Sequence, residues 1–293
     1  MNRDDLLNDE TRWQSLSTKL LFINLASAFR VFRSNLIEAA LIKGYAAARN
    51  YPPGHYRPFG DIDLAVSAED YPKALGLLKE PEVRKLGIDL HRELRHLDTL
   101  PFDQILERSE IIDIEDTEVR IPCAEDHLRI MAVHWLNDGG QYRERLYDIY
   151  YAVQNRPAGF DWEKCLGVVS PTRRRWVVTA IGLAHKYLDL YIDDLPFAAE
   201  ARDIPEWITR CVEREWATEV RLRPLHVVWR RPRILLQQIK KRIPPNPIQA
   251  TIETEGEFDA GPRIRYQIGS VAKRIWPSIK RIVPSVLHRR RTT

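Results

Sequence analysis

Cysteine is scarce in this chain. Cys123, Cys165 and Cys211 are the three among 293 residues. They are odd in number, far apart and in no metal-ligand spacing, which excludes a disulfide-stapled scaffold and suits a reducing cytosol. Long apolar runs are missing too. No stretch approaches the ~20 residues that a membrane-spanning helix needs. The opening "MNRDDLLNDETRW" is charged where a signal peptide would carry an apolar core. A cytoplasmic location is therefore expected. Strong net charge is also absent, since the formal value is +4, but the charge is unevenly spread. From residue 224 to 293 there are 15 Lys and Arg against 4 Asp and Glu, which leaves 30 basic and 37 acidic residues before it. Such polarity predicts a polyanionic partner for the tail, nucleic acid or an anionic membrane surface. The plain alternative is a solvated basic extension.

What is present is enough for a full core: 44% of the residues are hydrophobic, in a chain long enough for one large or two ordinary domains. Helical spacing of apolar residues runs from about Gln14 to Arg33. "LIEAALI" (36–42) reads as a strand leading to Gly44, and "GYAAARNY" (44–51) as the start of a short helix. A loop with Pro52, Pro53, Gly54, Pro58 and Gly60 follows. "AEDYPKALGLLKE" (68–80) reads as a helix, "GIDLHREL" (87–94) as a strand, and "EIIDIEDTEVRIP" (110–122) as a hairpin. After Pro122 the pattern turns helical, over 124–138, 142–155, 161–169 and 173–191, then near 205–218 and 227–241. The stretch 243–264, rich in Pro, Gly and acids, reads as a linker or long surface loop. Beyond it "KRIWPSI" (273–279) is echoed by "KRIVPSV" (280–286), a basic amphipathic segment with two prolines. The expected fold is α+β: a small mixed twisted sheet with flanking helices over residues 1–122, a helical domain over 123–242, and a linker with basic C-terminal extension over 243–293.

The chemistry centres on "RPFGDIDLAV" (57–66). Alternation along a strand puts Asp61 and Asp63 on one face and Ile62, Leu64 and Val66 on the other, which predicts a half-buried strand. Two carboxylates about 6.5–7 Å apart at the backbone can reach one small hard cation. "LIKG" places Lys43 and Gly44 at a strand exit, where a missing side chain can admit a phosphate. Arg57 stands four residues before Asp61, ready to meet a triphosphate. "GIDLHREL" adds Asp89 from another strand, with His91 on the same face. Asp113, Glu115 and Asp116 are the competing acids. Three carboxylates on adjacent strands suit two-metal phosphoryl transfer. Arg145 and Asp148 lie three apart on a later helix, where a surface ion pair is the default.

In this order, "LIKG … RPFGDIDLAV … IDLHREL" resembles the DNA-polymerase-β-like nucleotidyltransferase superfamily. More narrowly, the chain is similar to the uncharacterised bacterial nucleotidyltransferases, with their Lys-Gly, Arg-Pro-x-x-Asp-x-Asp-Leu and Asp-Leu-His pattern, and more distantly to abortive-infection toxin nucleotidyltransferases. The likeness runs from about residue 36 to 190. It implies a transferase that moves a nucleoside monophosphate from an NTP to a hydroxyl acceptor (RNA, a small molecule or a peptide) with Mg²⁺ or Mn²⁺. By the resemblance, Asp61, Asp63 and Asp89 hold the metals and Asp89 helps deprotonate the acceptor. Gly44 lies under the phosphates, Lys43 and Arg57 neutralise them, His91 tunes a carboxylate or contacts phosphate, and Arg145 and Asp148 orient nucleotide or acceptor. One departure stands out: Gly44 is followed by Tyr45 where the superfamily has glycine or serine. The rival readings are a nucleotide-binding protein without catalysis and a scaffold acting through its basic tail.

Overall fold

The computed structural model describes residues 3–53, 55, 57–218 and 231–274, with side chains from residue 18 onward. It is α+β. Helix α1 (Arg3–Ser34) is followed by strand β1 (Ala39–Leu41) and the one-turn helix α2 (Tyr45–Ala48). Strand β2 (Ile62–Val66), helix α3 (Tyr71–Leu77), helix α4 (Pro81–Arg84) and strand β3 (Ile88–Arg92) complete a sheet of order β1-β2-β3. β1 runs antiparallel to β2, with Leu41 opposite Leu64. β2 and β3 are parallel, with Asp63 opposite Asp89 and Ala65 opposite His91. The sheet is therefore mixed, as expected. Helix α5 (Phe102–Arg108) leads to the hairpin of β4 (Glu110–Ile114) and β5 (Thr117–Ile121). Glu115 and Asp116 make its turn with φ of 47° and 57°, the left-handed conformation that two-residue hairpin turns require and that Asp tolerates better than most residues.

The three-stranded sheet is covered on both faces. Leu25, Phe29 and Phe32 of α1 pack with Leu41, Ile62, Leu64, Val66 and Leu90. On the other face Ala40, Ile42 and Ala65 meet Leu94, Leu97, Phe102, Ile105 and Ile130. Every residue of β2 is buried, so the expectation of a half-buried strand is corrected. The second cover comes from residues 94–130, too distant in sequence for the alternation within β2 to report it. Asp61 is corrected as well, because it sits in a bend one residue ahead of β2 and is exposed.

Beyond the hairpin come α6 (Ala124–Asn137), a 3-10 turn (Arg143–Arg145), α7 (Leu146–Gln154), α8 (Trp162–Leu166), α9 (Pro171–Leu188), α10 (Ala198–Arg202) and α11 (Glu206–Ala217). Two further helices, α12 (Pro232–Arg242) and α13 (Pro247–Glu253), follow. The chain forms two compact units, Met1–Met131 with Tyr151–Val168, and Ala132–Tyr150 with Val169–Thr293. The second is organised by α9, which starts at Ser170, whose hydroxyl accepts from the Arg173 N–H, and at Pro171. Its middle is buried, and Gly182 sits so close to Ala201 that a Cβ there would stand 1.9 Å from that carbonyl oxygen.

The reading of 243–264 as linker or loop is also corrected. Asn246 caps α13 by accepting from the N–H groups of Ile248 and Gln249, and Ile248, Ala250 and Ile252 are buried. Residues 264–274 are helical, while most of the repeated basic segment, including Pro277 and Pro284, lies outside the described residues. Among the described residues no helix is long and apolar enough to cross a membrane.

Candidate metal and phosphate site

The parallel register of β2 and β3 alone brings two carboxylates and an imidazole to one face, since Asp63 is paired with Asp89 and His91 follows two residues on. The β1–β2 ladder continues past β1, with the Ile42 N–H donating to the Asp63 carbonyl at 3.1 Å. That bond delivers Lys43 to the same end of the sheet. Its Nζ lies 2.5 Å from Asp63 Oδ1. His91 Nε2 stands 3.2 Å from the same Oδ1 and 3.3 Å from Asp89 Oδ2. Asp63 and His91 are buried, whereas the Asp89 side chain is 55% exposed. The cluster is thus closed underneath and open at Asp89.

The electrostatics follow from that arrangement. Burial by itself pushes the Asp63 carboxyl up, but the hydrogen bond with His91 and the charge of Lys43 outweigh it and hold the carboxyl at about 2. Asp89 is lowered chiefly by its hydrogen bond with His91, against a smaller opposing effect of burial. For His91 burial disfavours the charged ring, yet the hydrogen bonds to Asp63 and Asp89 raise its pKa above the usual 6.5. His91 Nδ1 is buried and has no hydrogen-bond partner.

The residues fit a divalent cation. Asp63, Asp89 and His91 can each offer one ligand atom, all within 4.8 Å of one another. Around an octahedral ion with bonds of about 2.1 Å, neighbouring ligand atoms stand about 3.0 Å apart and opposite ones about 4.2 Å. The imidazole-to-carboxylate separations match neighbouring positions. The Lys43 ammonium on Asp63 Oδ1 is a resident cation at this spot, which shows that the carboxylates already attract positive charge.

Gly44 has φ +63°, which favours glycine. A Cβ there would meet the Asp61 carbonyl oxygen at 3.5 Å and the Phe59 ring at 3.6 Å. Arg57 Nη1 donates to the Gly44 carbonyl at 3.2 Å, one residue on from Lys43, which reaches Asp63. Tyr45, the departure noted in the sequence, turns its ring to Phe22 at 4.8 Å and Phe59 at 6.1 Å between centroids, where it serves packing. Of the competing acids, Glu115 and Asp116 form the β4–β5 turn and Asp113 lies on β4 opposite Glu118. Arg145 and Asp148 belong to the second unit. There Arg145 pairs with Asp138 at 2.9 Å and stacks over Tyr142 at 4.7 Å, and Asp148 is buried. Sequence reasoning found every member of the β2–β3 cluster but missed the direct contact of Lys43 with Asp63, and it gave His91 no place among the metal-capable atoms.

A family model described as an uncharacterised nucleotidyltransferase matches residues 5–189, a span that contains both strands of the cluster. No curated protein and no solved structure matches the chain.

Proposed function

The chain belongs to the uncharacterised nucleotidyltransferase family, and on that premise we propose that it transfers a nucleoside monophosphate from an NTP to a hydroxyl acceptor, with Mg²⁺ or Mn²⁺ and release of pyrophosphate. The observation that carries this reading is the pairing of Asp63 with Asp89 across parallel strands, with a lysine ammonium drawn onto Asp63.

Divalent cations, when bound, stabilise the charge that builds on the attacking and leaving oxygens. Asp63 and Asp89 would hold them, with Asp61 at the exposed mouth of β2. Lys43 and Arg57 neutralise phosphate oxygens, and Gly44, having no side chain, lets the phosphates approach the backbone. The acceptor oxygen bonds to the α-phosphorus as the bridging P–O bond to the β-phosphate breaks. Asp89, the exposed carboxylate of the pair, takes the hydroxyl proton, and pyrophosphate leaves with the electrons of the broken bond.

The test is pyrophosphate release by the full chain with each of the four NTPs and a generic hydroxyl acceptor, with Mg²⁺, with Mn²⁺ and with EDTA. Release that needs a divalent ion and is lost in Asp63→Asn supports the proposal. A second reading, nucleotide binding without transfer, draws on Tyr45 standing where a glycine or serine is usual. Metal-dependent NTP binding without pyrophosphate release from any NTP would favour it. A scaffold acting through the tail would instead lose its function on deletion of residues 266–293, which the enzyme reading expects to leave pyrophosphate release in place.

A further inference from the structure

A buried histidine with both nitrogens tied to the protein is an ordinary core residue. His91 is built differently. It is 6% exposed, its Nδ1 has no partner, and its Nε2 is spent on two carboxylate oxygens from neighbouring strands, at 3.2 and 3.3 Å. Nε2, the nitrogen turned to both carboxylates, is the atom of this ring placed to share an ion with them. Its burial also keeps it from swinging out to a nucleotide phosphate. Asp61, by contrast, is exposed and outside the strand, and it is not among the three residues whose ligand atoms converge.

We infer that His91 Nε2 is a metal ligand, completing a set with Asp63 and Asp89, and that this nitrogen makes the site select Mn²⁺ over Mg²⁺. The inference rests on the metal-dependent reading above and narrows its cation. Mg²⁺ is a hard ion that keeps to oxygen ligands, whereas imidazole suits divalent transition ions, whose affinity for nitrogen rises along the first-row series that begins with Mn²⁺. A carboxylate in the third position would leave Mg²⁺ well served. An imidazole there weakens Mg²⁺ while costing Mn²⁺ little.

The experiment is pulsed electron paramagnetic resonance of Mn²⁺ bound to the full-length protein, alone and with a nonhydrolysable ATP analogue. Wild type is prepared unlabelled and with ¹⁵N-histidine, so that nitrogen of the base is not mistaken for nitrogen of the ring. The expected result is a directly coordinated nitrogen whose coupling changes with the histidine label. His91→Gln should lose it and bind Mn²⁺ at least about tenfold more weakly, with Mg²⁺, read by competition, moving less. The labelled wild type tests the ligand even if the variant folds poorly. Mn²⁺ that is lost in Asp63→Asn but shows no histidine coupling in wild type overturns this inference and leaves the metal-dependent transferase standing. Failure of Mn²⁺ to bind under either condition overturns both.

Discussion

Two clusters of buried charge occupy the first unit, and they are open to solvent to different degrees. Around Arg129, which is 1% exposed, each nitrogen of the guanidinium has a partner. Nε donates to Asp98 at 2.9 Å, Nη2 to Asp126 at 2.6 Å, and Nη1 to the carbonyls of Lys164 and Cys165, both at 3.1 Å. Asp98 is closed in turn by the backbone N–H groups of Thr99 and Leu100. The Asp63 cluster has the same ingredients but stays open, with the Asp89 side chain half in solvent. Burial and charge are common to both. What separates scaffold from site is access, since the side chains of Arg129, Asp98 and Asp126 are sealed from solvent while the Asp89 carboxylate can be reached by a ligand.

The comparison can be broken first at Arg129. Arg129→Met leaves Asp98 buried without its cation and Asp126 with Arg108 alone, a change that should cost about 3–5 kcal/mol, read by urea unfolding and insensitive to divalent ions. A loss near zero would mean that the cluster is not structural. The counterpart is Asp63→Asn. It should lower pyrophosphate release about a thousandfold, the equivalent of several kcal/mol of lost metal stabilisation, while disturbing stability less than Arg129→Met does.

Acid sharpens the contrast. The folded Asp63 carboxyl titrates at about 2 against the usual 3.8. A depressed carboxyl adds stability that is fully present above the unfolded value and is lost as pH falls through the folded one, here about 2 kcal/mol. Wild type should therefore lose about that much more stability than Asp63→Asn as pH falls from roughly 4 to 2, measured by urea midpoints across the series. The smallest expected effect is at Gly44. Its φ of +63° and ψ of −117°, with only ordinary contacts around an added Cβ, predict that Gly44→Ala costs about 1–2 kcal/mol of backbone strain, again by urea unfolding.

How much of this was legible in the sequence depended on the range of the interaction. The hairpin was readable because alternation and the Glu115-Asp116 turn are local. The Asp63–Asp89 pairing was accessible because both acids stand at matching points of similar strands, and a parallel register aligns them. The burial of both faces of β2 was not legible, since Leu94, Phe102 and Ile130 supply the second cover from elsewhere in the chain. Helix α13 was hidden by its prolines, although Asn246 followed by Pro247 is a helix start in its own right. The contact of Lys43 with Asp63 depends on where a side chain turns as it leaves a strand, and no spacing rule encodes that.

The most direct test of the central claim, that the open cluster is a metal–nucleotide site, is calorimetric titration of NTPs into wild type, Asp63→Asn and Asp61→Asn/Asp63→Asn, with Mg²⁺, with Mn²⁺ and with EDTA. The account predicts binding that requires a divalent ion and disappears in both variants. Binding to no NTP, or binding that is indifferent to the metal and to Asp63, would contradict it.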